Sequence, residues 1–179
     1  MEIQVPEEFA YLYVRNAERP IVKIPDPVLR KKASPILEIT PKTAEVIRDM
    51  KRMMDEAHGI GLAAPQIGLS QRIIVIAPQG EKPLAIINPE IVERSGSFVG
   101  QEGCLSIPGL YGDVERSKSV LVEGYDVKGK AIAYEMEDLA ARIVQHEVDH
   151  LDGILFIDSV IQETLHWAHP GSPDDQDVE

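Results

Sequence analysis

The chain has 179 residues, 44% of them hydrophobic and 27% charged, with a formal net charge of -12 and one cysteine. That length fits one domain with a sizeable core; the acidic balance argues against a broad electrostatic grip on nucleic acid, and no apolar run approaches the roughly 20 residues of a membrane span. A single cysteine excludes an internal disulfide and leaves Cys104 as an inert buried thiol, the commonest fate of a lone cysteine, a nucleophile or a metal ligand.

Residues 1–20 carry Glu2, Glu7, Glu8 and Glu18 and lack the apolar core of a secretory signal, so the expectation is a cytoplasmic protein. Phe9, Tyr11, Leu12, Tyr13 and Val14 are too apolar for a disordered tail, and the segment reads as an extension that docks on the rest of the chain. Ile24-Pro25-Asp26-Pro27 reads as a turn. It leads to Arg30, Lys31 and Lys32, the main basic cluster of this region, which reads as a solvated surface segment. A ribosome contact would need such a local basic patch.

Between residues 41 and 58 the apolar residues Val46, Met50, Met53 and Ala57, with Ile47 and Met54 beside them, recur every three or four positions and predict an amphipathic helix. Thr40 suits its N-cap and Pro41 its first position. The β-branched runs 72–77, 84–88, 119–123 and 131–135 predict strands separated by Gly- and Pro-containing turns. A second helix is predicted from Glu137 or Asp138, with Leu139, Ile143, His146 and His150 along one face, Ala140, Val144, Val148 and Leu151 along the next, and a stop by Gly153. The fold class expected from this order is α+β, a mostly antiparallel sheet packed around a central helix. The expected organisation is an extension at 1–20, one catalytic domain at 21–165 and an acidic, disordered tail at 166–179.

The second helix carries the chemistry. His146 and His150, at i and i+4, put two imidazoles on one face of a helix within reach of a single ion. Glu147 between them can address a water beside that ion without ligating it. A catalytic metal needs a third protein ligand and an open position. Where one protease pattern places a third histidine, this chain has Phe156, and for another the downstream glutamates are only Glu163 and Glu179. The upstream alternative is Cys104, in a turn-like Glu102-Gly103-Cys104-Leu105-Ser106-Ile107-Pro108 segment, whose thiolate is a strong donor. A third segment, Gly59-Ile60-Gly61-Leu62-Ala63-Ala64-Pro65-Gln66-Ile67-Gly68, offers close backbone approach and the Gln66 amide, and lacks the Lys-Ser/Thr ending of a phosphate loop.

GIGLAAPQIG at 59–68, EGCLSIP at 102–108 and QHEVDHLDG at 145–153, in this order, resemble the three signature motifs of bacterial peptide deformylases, with similarity over about residues 21–158. The resemblance implies a hydrolase that removes the formyl group from the formyl-methionine of nascent polypeptides and releases formate. It implies Cys104, His146 and His150 as ligands of one divalent metal ion, ferrous iron in many members, with zinc or other ions able to replace it. It further implies Glu147 as the proton carrier, and the Gln66 side chain and the Leu105 backbone N–H as donors to the developing oxyanion. Gly61 is expected to hold the substrate backbone, and Ile60, Leu139 and Ile143 to form the methionine pocket. The implied partners are N-formylmethionyl peptides, with a transient ribosome contact, no direct nucleic-acid binding and no membrane. Tyr111 stands where some relatives have a basic residue, and the extension has no family role to inherit. Arg116 is expected to pair with Glu102 and brace the Cys104 turn. The rival readings are a metalloprotease cutting internal bonds and a non-catalytic metal-binding homologue.

Overall fold

Residues 73–76, Ile-Ile-Val-Ile, have no polar side to offer water, and the fold buries both faces of the strand they form. In this structure, a computed structural model describing residues 3–18, 20–78 and 81–169, strand β2 (Ile73–Ile76) lies inside a five-stranded antiparallel sheet. Its companions are β1 (Gly61–Ala63), β3 (Leu84–Ser95), β6 (Ser119–Tyr125) and β7 (Ala131–Glu137), in the order β1-β2-β3-β6-β7. Ile73 and Val75 pack with Ile47, Met50 and Met54 of helix α1 (Pro41–Glu56), whereas Ile74 and Ile76 pack with Val144, Val148 and Leu151 of helix α2 (Asp138–Leu151). A strand covered on both sides has no reason to alternate, which is why its sequence is continuously apolar.

A smaller antiparallel sheet is built from β4 (Phe98–Glu102), β5 (Leu110–Arg116) and β8 (His166–Trp167), in the order β4-β5-β8. Side chains of α2 reach this sheet as well as the larger one, so the helix is buried along nearly its whole length. The fold is therefore α+β with antiparallel sheets around a central helix, as expected, and the four predicted strands all exist.

The differences have local causes. Helix α1 stops at Glu56, two residues early. His58 takes a left-handed φ of 54°, Gly59 N–H bonds Met54 O at 2.9 Å and His58 N–H bonds Asp55 O at 3.0 Å, a Schellman closure with histidine rather than Gly59 in the left-handed seat. Gly153 does the same for α2 as predicted, with φ 74° and Ile154 N–H bonding Asp149 O at 2.9 Å. Strand β3 continues past the predicted end at residue 88 to Ser95, with an irregularity between Ile87 and Glu90 in place of a break. The Asn88 amide exchanges two 2.8 Å hydrogen bonds with the backbone of Ile36 across that point.

The extension docks. Phe9, on a 3-10 turn at Glu7–Tyr13, is buried, stacks on His169 with ring centroids 4.5 Å apart and meets the tilted ring of Trp167 at 5.0 Å. Gly109, at φ 84°, leaves the room the Phe9 ring occupies, since a Cβ there would lie 2.8 Å from Phe9 Cδ1. His166 and Trp167, expected in the tail, pair with Tyr111 and Leu110. The rest of the expected tail, 170–179, lies outside the described residues. Arg30 of the basic cluster is tied to Asp158 by an ion pair. Among the described residues no helix is long and apolar enough to cross a membrane.

Because Trp167 is the chain's one tryptophan, it reports this docking directly. Phe9→Ala is expected to lower the unfolding free energy by about 3 kcal/mol and to shift Trp167 emission to the red, measured by urea titration followed by fluorescence.

Candidate metal centre

Helix α2 puts His146 and His150 on one face, their rings 5.0 Å apart at the centroids. The turn after β4 brings Cys104 to the same place, its Sγ 3.3 Å from His150 Nε2. One donor atom from each of Cys104, His146 and His150 lies within 4.8 Å of the other two, the only such cluster of three among the described residues. The donor set suits a divalent ion of borderline softness such as zinc or ferrous iron. Phe156, at the position of the absent third histidine, is buried in the core beside the small sheet and stacks on His146 at 6.3 Å, so it packs the centre and cannot ligate.

The outer contacts orient the donors. His146 Nδ1 is 2.9 Å from Glu102 Oε2, which turns its Nε2 inward. Glu102 also receives Arg116 Nε at 2.9 Å and Nη2 at 3.0 Å, the pairing expected from sequence, while Arg116 Nη1 reaches Asp149 at 2.5 Å. Arg142 was not anticipated. It lies buried on α2 and brings Nη1 to Glu102 Oε1 at 2.7 Å. The signal was an arginine one helical turn before His146 in a stretch otherwise read as core.

Burial works against the Glu102 charge, but hydrogen bonds from His146 and Arg116 outweigh it and hold the carboxyl well below its usual range. Burial likewise disfavours the His146 cation, yet Cys104 and Glu102 draw its pKa up, whereas His150 is pushed down by burial and by the neighbouring His146. The Glu147 carboxyl is raised to about 7, with burial as the main cause. Its Oε2 is sealed from solvent with no hydrogen-bond partner. An unpaired carboxylate oxygen tuned to neutral pH beside a ligand cluster is what a general base requires.

These groups face a cavity of about 610 Å³ lined by Gly59, Ile60, Gly61, Gln66, Cys104, Leu105, Leu139, Ile143, His146 and Glu147, among others. Every predicted site residue except His150 lines it, and His150 sits behind, against Cys104. Gln66 is held at both ends: Oε1 accepts Ala63 N–H at 2.8 Å, and Nε2 lies 3.2 Å from Ser106 Oγ and 3.8 Å from Cys104 Sγ. Gly61 is needed for space, because a Cβ would run into the Glu147 carboxylate and lie 2.9 Å from Ile143 Cγ2. Tyr111 lies against Gly103, where a Cβ would be 2.6 Å from its ring, and forms part of the same wall.

Comparison with known proteins identifies the family. Residues 18–165 match the family described as Polypeptide deformylase. The chain is similar to the peptide deformylase of Halothermothrix orenii, 50% identical over 143 residues that make up 79% of this chain and 93% of that protein. It is also similar to the peptide deformylase of Desulforudis audaxviator, 48% identical over 77% of this chain and 90% of that one. Among solved structures, a peptide deformylase from Thermotoga maritima superposes with a TM-score of 0.76 at 43% identity, over 78% of this chain and 95% of that chain. One from Synechococcus elongatus in complex with actinonin superposes with a TM-score of 0.77 at 42% identity, over 82% and 83%.

Removing Arg116 deprives two acidic side chains of a buried cation. Arg116→Ala is expected to lower the unfolding free energy of the metal-free protein by about 3 kcal/mol, the low end for a broken buried pair because Arg142 still faces Glu102. Denaturant unfolding of the metal-free variant measures it.

Proposed function

The chain belongs to the polypeptide deformylase family, and on that footing we propose that Cys104, His146 and His150 hold one divalent ion while Glu147 carries the proton of a deformylation. The reaction is hydrolysis of the N-terminal formyl group of formyl-methionyl polypeptides, giving formate and a free amine. The observation that carries the site assignment is the convergence of the three donor atoms within 4.8 Å beside the sealed, unpartnered Glu147 Oε2.

When bound, the ion supplies a Lewis acid that polarises a carbonyl oxygen and acidifies water. Glu147 takes a proton from the attacking water as the new C–O bond forms, then returns it to the nitrogen as the C–N bond breaks. The Gln66 amide, fixed by Ala63 and Ser106, donates to the developing oxyanion together with the Leu105 backbone N–H. Strand β1 is at the edge of its sheet, so Gly61 can accept an extended peptide as an added strand. Ile60, Leu139 and Ile143 supply an apolar wall for the methionine side chain.

Ferrous iron is the proposed ion, with zinc or another divalent cation as replacements; ligation needs neutral imidazole, so metal and proton compete at His146. In this reading the catalytic domain begins at residue 21 and runs past 165 to take in β8 at His166–Trp167, and 1–20 is an extension docked through Phe9. The enzyme meets formylated chains in the cytoplasm, through a transient ribosome contact and without direct nucleic-acid binding.

Formate release from a formyl-Met peptide, measured beside metal content after anaerobic purification, tests the assignment. Glu147→Ala is expected to keep its metal and lose about 10²- to 10⁴-fold in kcat, and Cys104→Ala to lose the metal. Native turnover in the Glu147 variant, or full metal content in the Cys104 variant, contradicts it.

A further inference from the structure

Two elements must meet for the three donors to converge: α2, which carries both histidines, and the β4–β5 hairpin, whose connecting turn carries Cys104. Arg142 joins them. It leaves α2 one turn before His146, and its guanidinium lies against the hairpin, donating to carbonyls of both strands. Nη1 reaches Gly100 O at 3.2 Å and Val114 O at 3.0 Å, Nη2 reaches Phe98 O at 3.1 Å, and Nη1 also takes Glu102 Oε1 at 2.7 Å. Its Cζ stands 4.4 Å over the Phe98 ring. The same carboxylate holds His146 Nδ1 on its other oxygen and lies two residues before Cys104.

Gly100 supplies independent support. Glycine weakens a strand interior, so one there calls for a reason. A Cβ on Gly100 would lie 3.0 Å from Arg142 Nη2 and 3.2 Å from Cζ. The strand gives up a side chain where the guanidinium lies.

We propose that Arg142 is a positioning residue for the metal centre, a staple that sets the distance between the helix bearing His146 and His150 and the turn bearing Cys104, with Gly100 as its seat. The inference rests on the ligand assignment made above. Only a planar fork can serve three carbonyls and a carboxylate at once, so the role calls for arginine rather than for a positive charge. The staple acts through Glu102 on the orientation of His146 and through β4 on the approach of Cys104. Supporting contacts of this kind set metal affinity as the ligands do.

The test loads the full chain anaerobically with Co(II) and records its visible spectrum and its rate of release to excess chelator. Arg142→Met and Gly100→Ala are both expected to shift the ligand-field bands and to release Co(II) about 10-fold faster or more. Native spectra and release rates in both overturn the inference, even if the metal-free variants unfold at lower temperature, because that pattern belongs to a purely structural arginine. If Arg142→Met does not fold, Arg142→Lys, which keeps the charge and loses the planar fork, decides by the same criteria. Cys104→Ala is the control for the underlying assignment. Should the unaltered chain lack a thiolate-to-Co(II) charge-transfer band, or Cys104→Ala hold Co(II) as tightly as the unaltered chain, the ligand reading fails, whatever the Arg142 variants do.

Discussion

A single buried carboxylate, Glu102, holds the centre in register. An isolated charge at its depth is strongly unfavourable, and this one is accommodated because four donors converge on it: two from Arg116, one from Arg142 and the His146 ring. The three donating residues come from two elements, and the acceptor ends a third. Arg116 ends β5 and reaches on to Asp149, Arg142 and His146 stand a turn apart on α2, and Glu102 itself ends β4 next to the Cys104 turn. Buried ionic clusters contribute little net stability compared with packed apolar groups, and their effect is felt most when one partner is removed. What this one supplies is a defined arrangement of the candidate ligands on two separate elements.

The rest of the fold makes such burial possible. Helix α2 is covered on one side by Ile74, Ile76, Ile86, Val120 and Val122 of the large sheet, and its Arg142 reaches the small sheet on the other. Glu147 and His150 are thereby buried, and burial raises the Glu147 carboxyl toward neutrality. The same enclosure leaves one apolar cavity open at the edge of β1, where Gly61 gives up a side chain so that Glu147 has room. Sheet, helix and cavity thus serve one end, a buried carboxylate next to three donor atoms that could hold a metal ion, with an edge strand beside them.

Much of this was readable from residues alone because its causes are local. Two histidines at i and i+4 with a glutamate between them need only a helix to become a ligand pair, and the period of residues 139–151 supplies that helix. Strand β2 is apolar enough to declare itself. The small sheet was hidden: β4 holds Gly100, β5 holds Gly112 and charged residues, and β8 is two residues long, so none has the composition of a strand. Their glycines answer to tertiary neighbours, Arg142 at Gly100 and Val160 and Leu165 at Gly112. The same holds for Asn88, whose side chain hydrogen-bonds Ile36 where the predicted strand ends, and for Arg142, whose carbonyl acceptors lie 28 to 44 residues away. Partners so distant leave no mark on local pattern.

The account turns on whether a sulfur and two imidazoles share one ion. X-ray absorption at the metal edge of the zinc-loaded chain measures this most directly. It predicts one sulfur near 2.3 Å and two nitrogens at about 2.0–2.1 Å, with the sulfur lost in Cys104→Ala. A first shell of nitrogen and oxygen alone in the unaltered chain would contradict it.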